Sequence, residues 1–140
     1  MAGGCWGIGS DSHISVSPVE ELRWLEYGQR LVTRRRNIAV RADSPSVGET
    51  LLRGALASAA ASTGFADVDD SVVLDADARQ LVAATAADVV DRWLFSGNTS
   101  CVRDVHVAGR PVVASGRHAQ REGVFARYRA AMGGIVGAAG

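Results

Sequence analysis

Two short stretches dictate where helices must start. Ser17-Pro18-Val19-Glu20 and Ser46-Val47-Gly48-Glu49 each place a serine three residues ahead of a glutamate at the head of an apolar-periodic run. In that spacing the serine hydroxyl accepts a hydrogen bond from a free amide of the first helical turn, and the glutamate can answer it. Proline at the first helical position of the earlier stretch presets φ where no amide is needed. The first helix therefore begins at Pro18, carries Leu22, Leu25 and Val32 near one face with Trp24 and Leu31 widening it, and ends near Arg34 to Arg36. The second runs on Leu51, Leu52, Ala55, Leu56, Ala59 and Ala60 and stops at Gly64. So many small residues predict close packing against a neighbour.

Ahead of these helices, Trp6-Gly7-Ile8-Gly9-Ser10 reads as a short buried strand, with glycines at alternate positions where another backbone passes close. Asp11 stands at its C-terminal end. Residues 37–45 read as loop, Val72-Val73-Leu74 as a short strand, and residues 85–93 as a brief helix passing into Leu94-Phe95. Val105 and Val107 alternate with Asp104 and His106 before Ala108-Gly109-Arg110 turns the chain into Pro111-Val112-Val113, the pattern of a hairpin. A last helix covers residues 120–132, with Val124, Phe125, Tyr128 and Met132 on one face, and the glycine-rich tail from Gly133 is expected to fray. The first strand has no obvious partner strand nearby and presents two unpaired edges.

With 140 residues, 47% hydrophobic and 21% charged, the chain has a globular balance and length for one packed unit. The formal net charge of +0 gives no field to draw nucleic acid or an acidic membrane. The arginine triplet Arg34-Arg35-Arg36 has a local explanation, because positive charge near a helix C-terminus is favoured by about 0.3–1 kcal/mol per residue. No aromatic residues interleave with it, which argues against nucleic-acid binding. Cys5 and Cys101 fit no metal or redox spacing and read as reduced, buried small hydrophobes. No secretory signal or bilayer-spanning run is apparent, so the expected location is cytoplasmic, and Asn98-Thr99-Ser100 reads as polar loop rather than a glycosylation site.

A carboxylate at the end of a strand that feeds a helix sits where α/β enzymes keep their reactive groups. Asp11 is therefore the candidate catalytic residue, although an aspartate in such a place can equally serve a turn by accepting nearby amides. His13 follows two residues later and reads on its own as a polar loop residue, His106 lies on the polar face of the hairpin, and His118 follows a turn. A hydrolytic zinc site needs three or more protein ligands with an open position. The chain has 3 histidines, no His-x-His, no Cys-x-x-Cys, no Gly-x-Ser-x-Gly elbow and no phosphate-binding loop. Residue by residue, the sequence does not hold a complete active site.

The stretch "GIGSDSHISVSPVEELRWLEYGQRL" closely resembles the segment around the last barrel strand of formimidoylglutamate deiminases, members of the amidohydrolase superfamily, and the arginine-rich "RRRN" follows as it does there. "SGNTSCVRDVHVAGRPVVASGRH" resembles the closing hairpin found widely across amidohydrolases. The resemblance covers nearly the whole chain but only the C-terminal third of the family's enzyme. It implies an α/β fold: residues 1–64 as the end of a (β/α)8 barrel, with strand eight and the helices after it, and residues 65–140 as a segment of a small β domain with a hairpin and final helix. It implies hydrolysis of N-formimino-L-glutamate to N-formyl-L-glutamate and ammonia by a divalent metal, zinc by the family's habit, with Asp11 both binding the metal and taking the proton from the attacking water. The family's His-x-His, later histidines, catalytic glutamate and substrate-holding groups have no counterpart in the 140 residues, so no substrate-binding residue is assigned and the chain is expected to be inactive alone. Ser10, Ser12 and His13 belong to the same signature and shape the rim without a chemical step. Besides a small-molecule substrate, the partners this implies are a complementing N-terminal chain or a second copy, and neither nucleic acid nor membrane. Between Gly64 and Val72 the family has a longer stretch, and "FADVDDS" in its place implies a shortened strand of the β domain.

Overall fold

A computed structural model describes residues 6–12, 14–64 and 69–138, apart from the side chains of Ala60 and Ala61. Both capping serines act as their spacing predicts. Ser17 Oγ accepts from the Glu20 amide at 3.3 Å at the head of α1 (Pro18–Thr33), and Ser46 Oγ accepts from the Glu49 amide at 3.0 Å at the head of α2 (Val47–Thr63). α1 stops where Arg34 turns left-handed at φ 54°, and Gly64, at φ 72°, follows the end of α2. The third helix, α3 (Val89–Phe95), starts later than the expected residue 85. Residues 85–88 are instead a turn in which the Asp88 carboxylate reaches back to the Thr85 amide at 2.6 Å and the Thr85 hydroxyl at 2.8 Å. That local bonding competes with a regular first turn.

Packed length does not resolve into the single unit that 140 residues allow. The described residues of 6–64 and 76–101 form one compact unit, and those of 69–75 and 102–138 form another. The division expected at residues 64 and 65 follows chain order, whereas residues 76–101 return to the first unit and bring the buried Leu81, Leu94 and Cys101 with them. Cys101 is a free, buried thiol, and Cys5 lies outside the described residues.

In the first unit, Leu22 of α1, Val47, Leu51 and Ala55 of α2, Leu94 of α3 and Ala39 of the 37–45 loop make one buried cluster. Full burial of a leucine stabilises by about 1.5–3 kcal/mol, and Trp6, Val19, Leu52, Val90, Trp93 and Phe95 pack half-buried against the cluster. Small residues on α2 do permit a close approach: a side chain at Gly48 would stand 2.9 Å from Asp91 Oδ1, and the Gly48 amide donates to that same oxygen at 2.6 Å. Arg23 of α1 ties down the end of α3, donating to the carbonyl of Leu94 at 2.7 Å, of Gly97 at 2.7 Å and to Asn98 Oδ1 at 2.5 Å.

Glu26 is the one acidic side chain in this core. At 1% exposure it accepts from the amides of Ile38 and Ala39, each at 3.0 Å, and from Arg30 Nε at 2.7 Å. A buried carboxylate is tolerable only with its lone pairs filled, and here each oxygen has a donor. The Arg30 guanidinium in turn lies 5.2 Å from the Tyr27 ring centre and 5.6 Å from that of Phe95.

The expected strand at residues 6–10 is not formed among the described residues: no ladder partner lies alongside it, and a side chain added at Gly7 or Gly9 would meet nothing within 4 Å. A strand exists only through its neighbour's backbone, and the described residues of this unit supply none.

The second unit is an antiparallel sheet in the order β1-β2-β3-β4, from β1 (Ser71–Leu74), β2 (Val102–Val107), β3 (Arg110–Ala114) and β4 (Arg117–His118). Ala108 and Gly109 turn β2 into β3 with φ of 49° and 70°, and Ser115 and Gly116 turn β3 into β4 with 50° and 74°. Two consecutive positive φ angles mark the turn that matches strand twist. The Asp70 carboxylate accepts the Ala108 amide at 2.8 Å and the Asp104 carboxylate accepts that of Ser115 at 2.9 Å, so each turn is latched by an aspartate on another strand or its lead-in. The residues expected to stand for a shortened strand, 65–71, fall partly outside the described residues, and Ser71 opens β1. The last helix, α4 (Arg121–Ala138), runs past the expected end at Met132 and through Gly133 and Gly134. Glycine costs about 1 kcal/mol relative to alanine inside a helix, which weakens this stretch without breaking it as proline would.

Glu26→Ala is expected to lower the unfolding free energy of the first unit by about 3 kcal/mol in urea denaturation, because the buried Ala39 amide and the part-buried Ile38 amide lose their acceptor at about 1–3 kcal/mol each; an unchanged midpoint would contradict the role given to this side chain. Three aspartates, Asp43 exposed and Asp88 and Asp104 half-buried, contribute to the acid limit. The hydrogen bond from Arg41 holds Asp43 below the ordinary carboxyl value of 3.8, the Thr85 amide does so for Asp88, and Arg103 followed by the Ser115 amide does so for Asp104. A depressed folded pKa contributes stability that is whole above the unfolded value and is lost as pH falls through the folded one. Thermal melts should therefore be flat from pH 7 to about pH 5 and fall below pH 4, with Asp104→Asn shallowing the acid-side decline.

Candidate active site

Asp11 follows the 6–10 segment in a tight turn and is the first described residue with positive φ, at 35°. Aspartate is among the few residues that enter this region at modest cost. Its side chain is exposed and makes no hydrogen bond or ion pair among the described residues, unlike the turn aspartates Asp70, Asp88 and Asp104. The alternative reading of Asp11, as a turn residue satisfying nearby amides, thus finds no such bond here. Ser10 is half-buried and Ser12 exposed, and His13 lies outside the described residues.

No second ligand candidate joins Asp11 among the described residues. His106 Nδ1 lies 3.5 Å from the Ser71 hydroxyl, and His118 Nδ1 accepts from the Gln120 amide at 3.1 Å; both belong to the second unit. The described residues contain no group of three or more His, Cys, Asp or Glu side chains placed to hold a metal ion. A single monodentate carboxylate does not fit a hydrolytic metal centre, which takes at least three protein ligands. The donors among the described residues do not make that centre by themselves.

Beside the 6–9 segment lies an open groove of about 720 Å³, walled by Trp6, Ile8, Trp24, Leu25, Ile38 and Leu51 and by the buried carboxylate of Glu26. Asp11 is not part of its wall. Trp24 and Leu25, expected on the apolar face of α1, are 56% and 40% exposed because they face this opening rather than packed neighbours. Glu26 escaped the sequence reading. Its signal was present, since it falls one helical turn after Leu22 on the face that faces the core.

No protein-family model matches the chain. Among solved structures, an amidohydrolase from Brucella melitensis superimposes with a TM-score of 0.85 and 35% sequence identity over 96% of this chain, which spans 31% of that one. The architecture is accordingly that of the C-terminal part of an amidohydrolase. Among curated proteins, the formimidoylglutamate deiminase of Pseudomonas aeruginosa is 50% identical over 127 residues, covering 86% of this chain and 28% of the relative. The chain is therefore similar to the C-terminal part of a formimidoylglutamate deiminase, and it spans less than a third of the length of either relative. Among the described residues, no helix is long and apolar enough to cross a membrane.

Proposed function

We propose that the chain is the Asp11-bearing part of a metal-dependent formimidoylglutamate deiminase, hydrolysing N-formimino-L-glutamate to N-formyl-L-glutamate and ammonia once the remaining groups of the site are supplied. The observation that carries this reading is the 50% identity over 127 residues to a deiminase of that name. Asp11 is the residue assigned to the chemistry, as a carboxylate that binds the divalent metal, taken as zinc, and accepts a proton. Its solvent-facing side chain, unclaimed by any turn amide among the described residues, supports that assignment. A carboxylate already spent on backbone amides would be a poorer base and ligand. In this reading the first unit corresponds to the end of the amidohydrolase barrel and the four-stranded unit to the small β domain, and the protein acts in the cytoplasm.

The groove favours a second reading, in which the chain works by association, as an interaction module or one subunit of a split enzyme. Trp24, Leu25 and Ile8 leave apolar surface open there, and contiguous patches of that kind drive association.

The purified chain alone is expected to retain well under one equivalent of zinc after dialysis and to release no ammonia from N-formimino-L-glutamate; stoichiometric zinc, or turnover abolished by Asp11→Asn, would overturn its dependence on further residues. Light scattering should show self-association driven by the open groove, and a sharp monomer peak with cooperative melting would count against the second reading.

A further inference from the structure

We infer that the apolar face of α4 is a pairing surface for α4 of a second copy of this chain, with the two helices antiparallel. The large apolar side chains of α4 fall at Phe125, Tyr128, Met132 and Ile135, the three-then-four spacing that keeps a stripe on one side of a helix, with Val124 and Val136 at its margins. Ala126, Ala130, Gly133 and Gly137, spaced the same way, make the opposite side small and featureless. Every described residue of α4 is exposed, and the six apolar side chains of the stripe and its margins are 38% to 67% exposed. At on the order of 100 Å² for each half-exposed side chain of this kind, two such faces together offer about 1,000 Å², enough for a specific interface at the lower end of the usual size.

The charges of α4 point to what covers this face. Arg121, Arg127 and Arg129 all lie in its N-terminal half, where the helix dipole is itself positive, and residues 130–138 carry no charged side chain. The one acid, Glu122, is taken by Arg117 at 2.6 Å, and the three arginines of α4 form no ion pair among the described residues. Reversing one helix against another answers both halves. Each arginine-bearing half then lies beside the uncharged half of the other helix and its last carbonyls, which find no partner within their own helix. Arg121 is aligned with the stripe, one turn ahead of Phe125, and Arg129 flanks it with its guanidinium 5.0 Å from the Phe125 ring centre. Parallel pairing would crowd like charges at one end instead.

The stripe also matches its own reverse. With Ala130 at the centre, Phe125 of one copy faces Ile135 of the second and Tyr128 faces Met132, so every layer sets an aromatic ring against an aliphatic side chain. The same patch serves both copies, and such a contact closes at two. It uses neither Asp11 nor the groove, and so it stands apart from both readings proposed above.

The test uses the 140-residue chain carrying Trp24→Glu, which puts a charge into the groove and removes association through it. Sedimentation equilibrium at micromolar concentration should show a dimer, and adding Phe125→Glu with Met132→Glu should weaken dimerisation at least about tenfold while the melt of the first unit stays in place. A second measurement does without Trp24→Glu and reads orientation. In a Cys5→Ser background, an oxidised mixture of Tyr128→Cys and Met132→Cys chains should give the mixed disulfide-linked dimer in preference to either homodimer. A Trp24→Glu chain that keeps its first-unit melt and sediments as a monomer would overturn the inference, as would a dimer that survives Phe125→Glu with Met132→Glu, or homodimer links that prevail over the mixed one. None of these readouts uses zinc or ammonia release, so a failure of the enzymatic reading would be seen separately.

Discussion

The buried carboxylate of Glu26 is the constraint on which the first unit is built. By accepting the amides of Ile38 and Ala39 it turns the loop after α1 back across the helix and brings Ala39 into the cluster with Leu22 and Leu51. By accepting Arg30 it fixes the guanidinium that lies over Tyr27 and Phe95, and so links α1 to α3. Backbone amides in a loop seldom find a buried acceptor, and a carboxylate that answers two of them at once makes an otherwise irregular segment as determinate as a helix. The same side chain forms part of the groove wall, so the shape of that opening depends on it.

Features governed by neighbours in sequence were legible before the structure. The two helix starts follow from serine, proline and glutamate within four residues, and the turn at Ala108-Gly109 from a glycine between alternating strands. The second turn, at Ser115-Gly116, offered a glycine of the same kind, and it leads into β4, which the sequence reading did not separate. Features governed by distant partners were not legible. Residues 6–10 have strand composition, but pairing is a property of two segments and the second is not among those described. Trp6 pairs with α2 across 52 residues without any periodicity to announce it, and the helical spacing that puts Glu26 on the core face does not name the loop amides it meets.

The candidate site shows the same division. Asp11 was found because its chemistry stands out against an apolar, glycine-rich stretch. The seat of Trp6 was hidden, because Gly54 and Ser58 look like defects in a good helix until the indole of Trp6 is seen resting on them. The open groove and the unpaired 6–9 segment lie together on one unit of a chain that spans 28% of its curated relative. Under the proposed reading that is the side on which further amidohydrolase sequence belongs, and it accounts for tryptophan and leucine facing solvent on a helix whose opposite face is well packed.

The central claim is that Asp11 is one arm of a deiminase site whose other arms come from sequence like that of the longer relatives. Its most direct test joins this chain, in one polypeptide, to the N-terminal remainder of the Pseudomonas aeruginosa deiminase and measures ammonia released from N-formimino-L-glutamate. The account predicts turnover by the joined protein and its loss in Asp11→Asn. A folded, zinc-loaded joined protein that releases no ammonia, or one whose turnover survives Asp11→Asn, would contradict it.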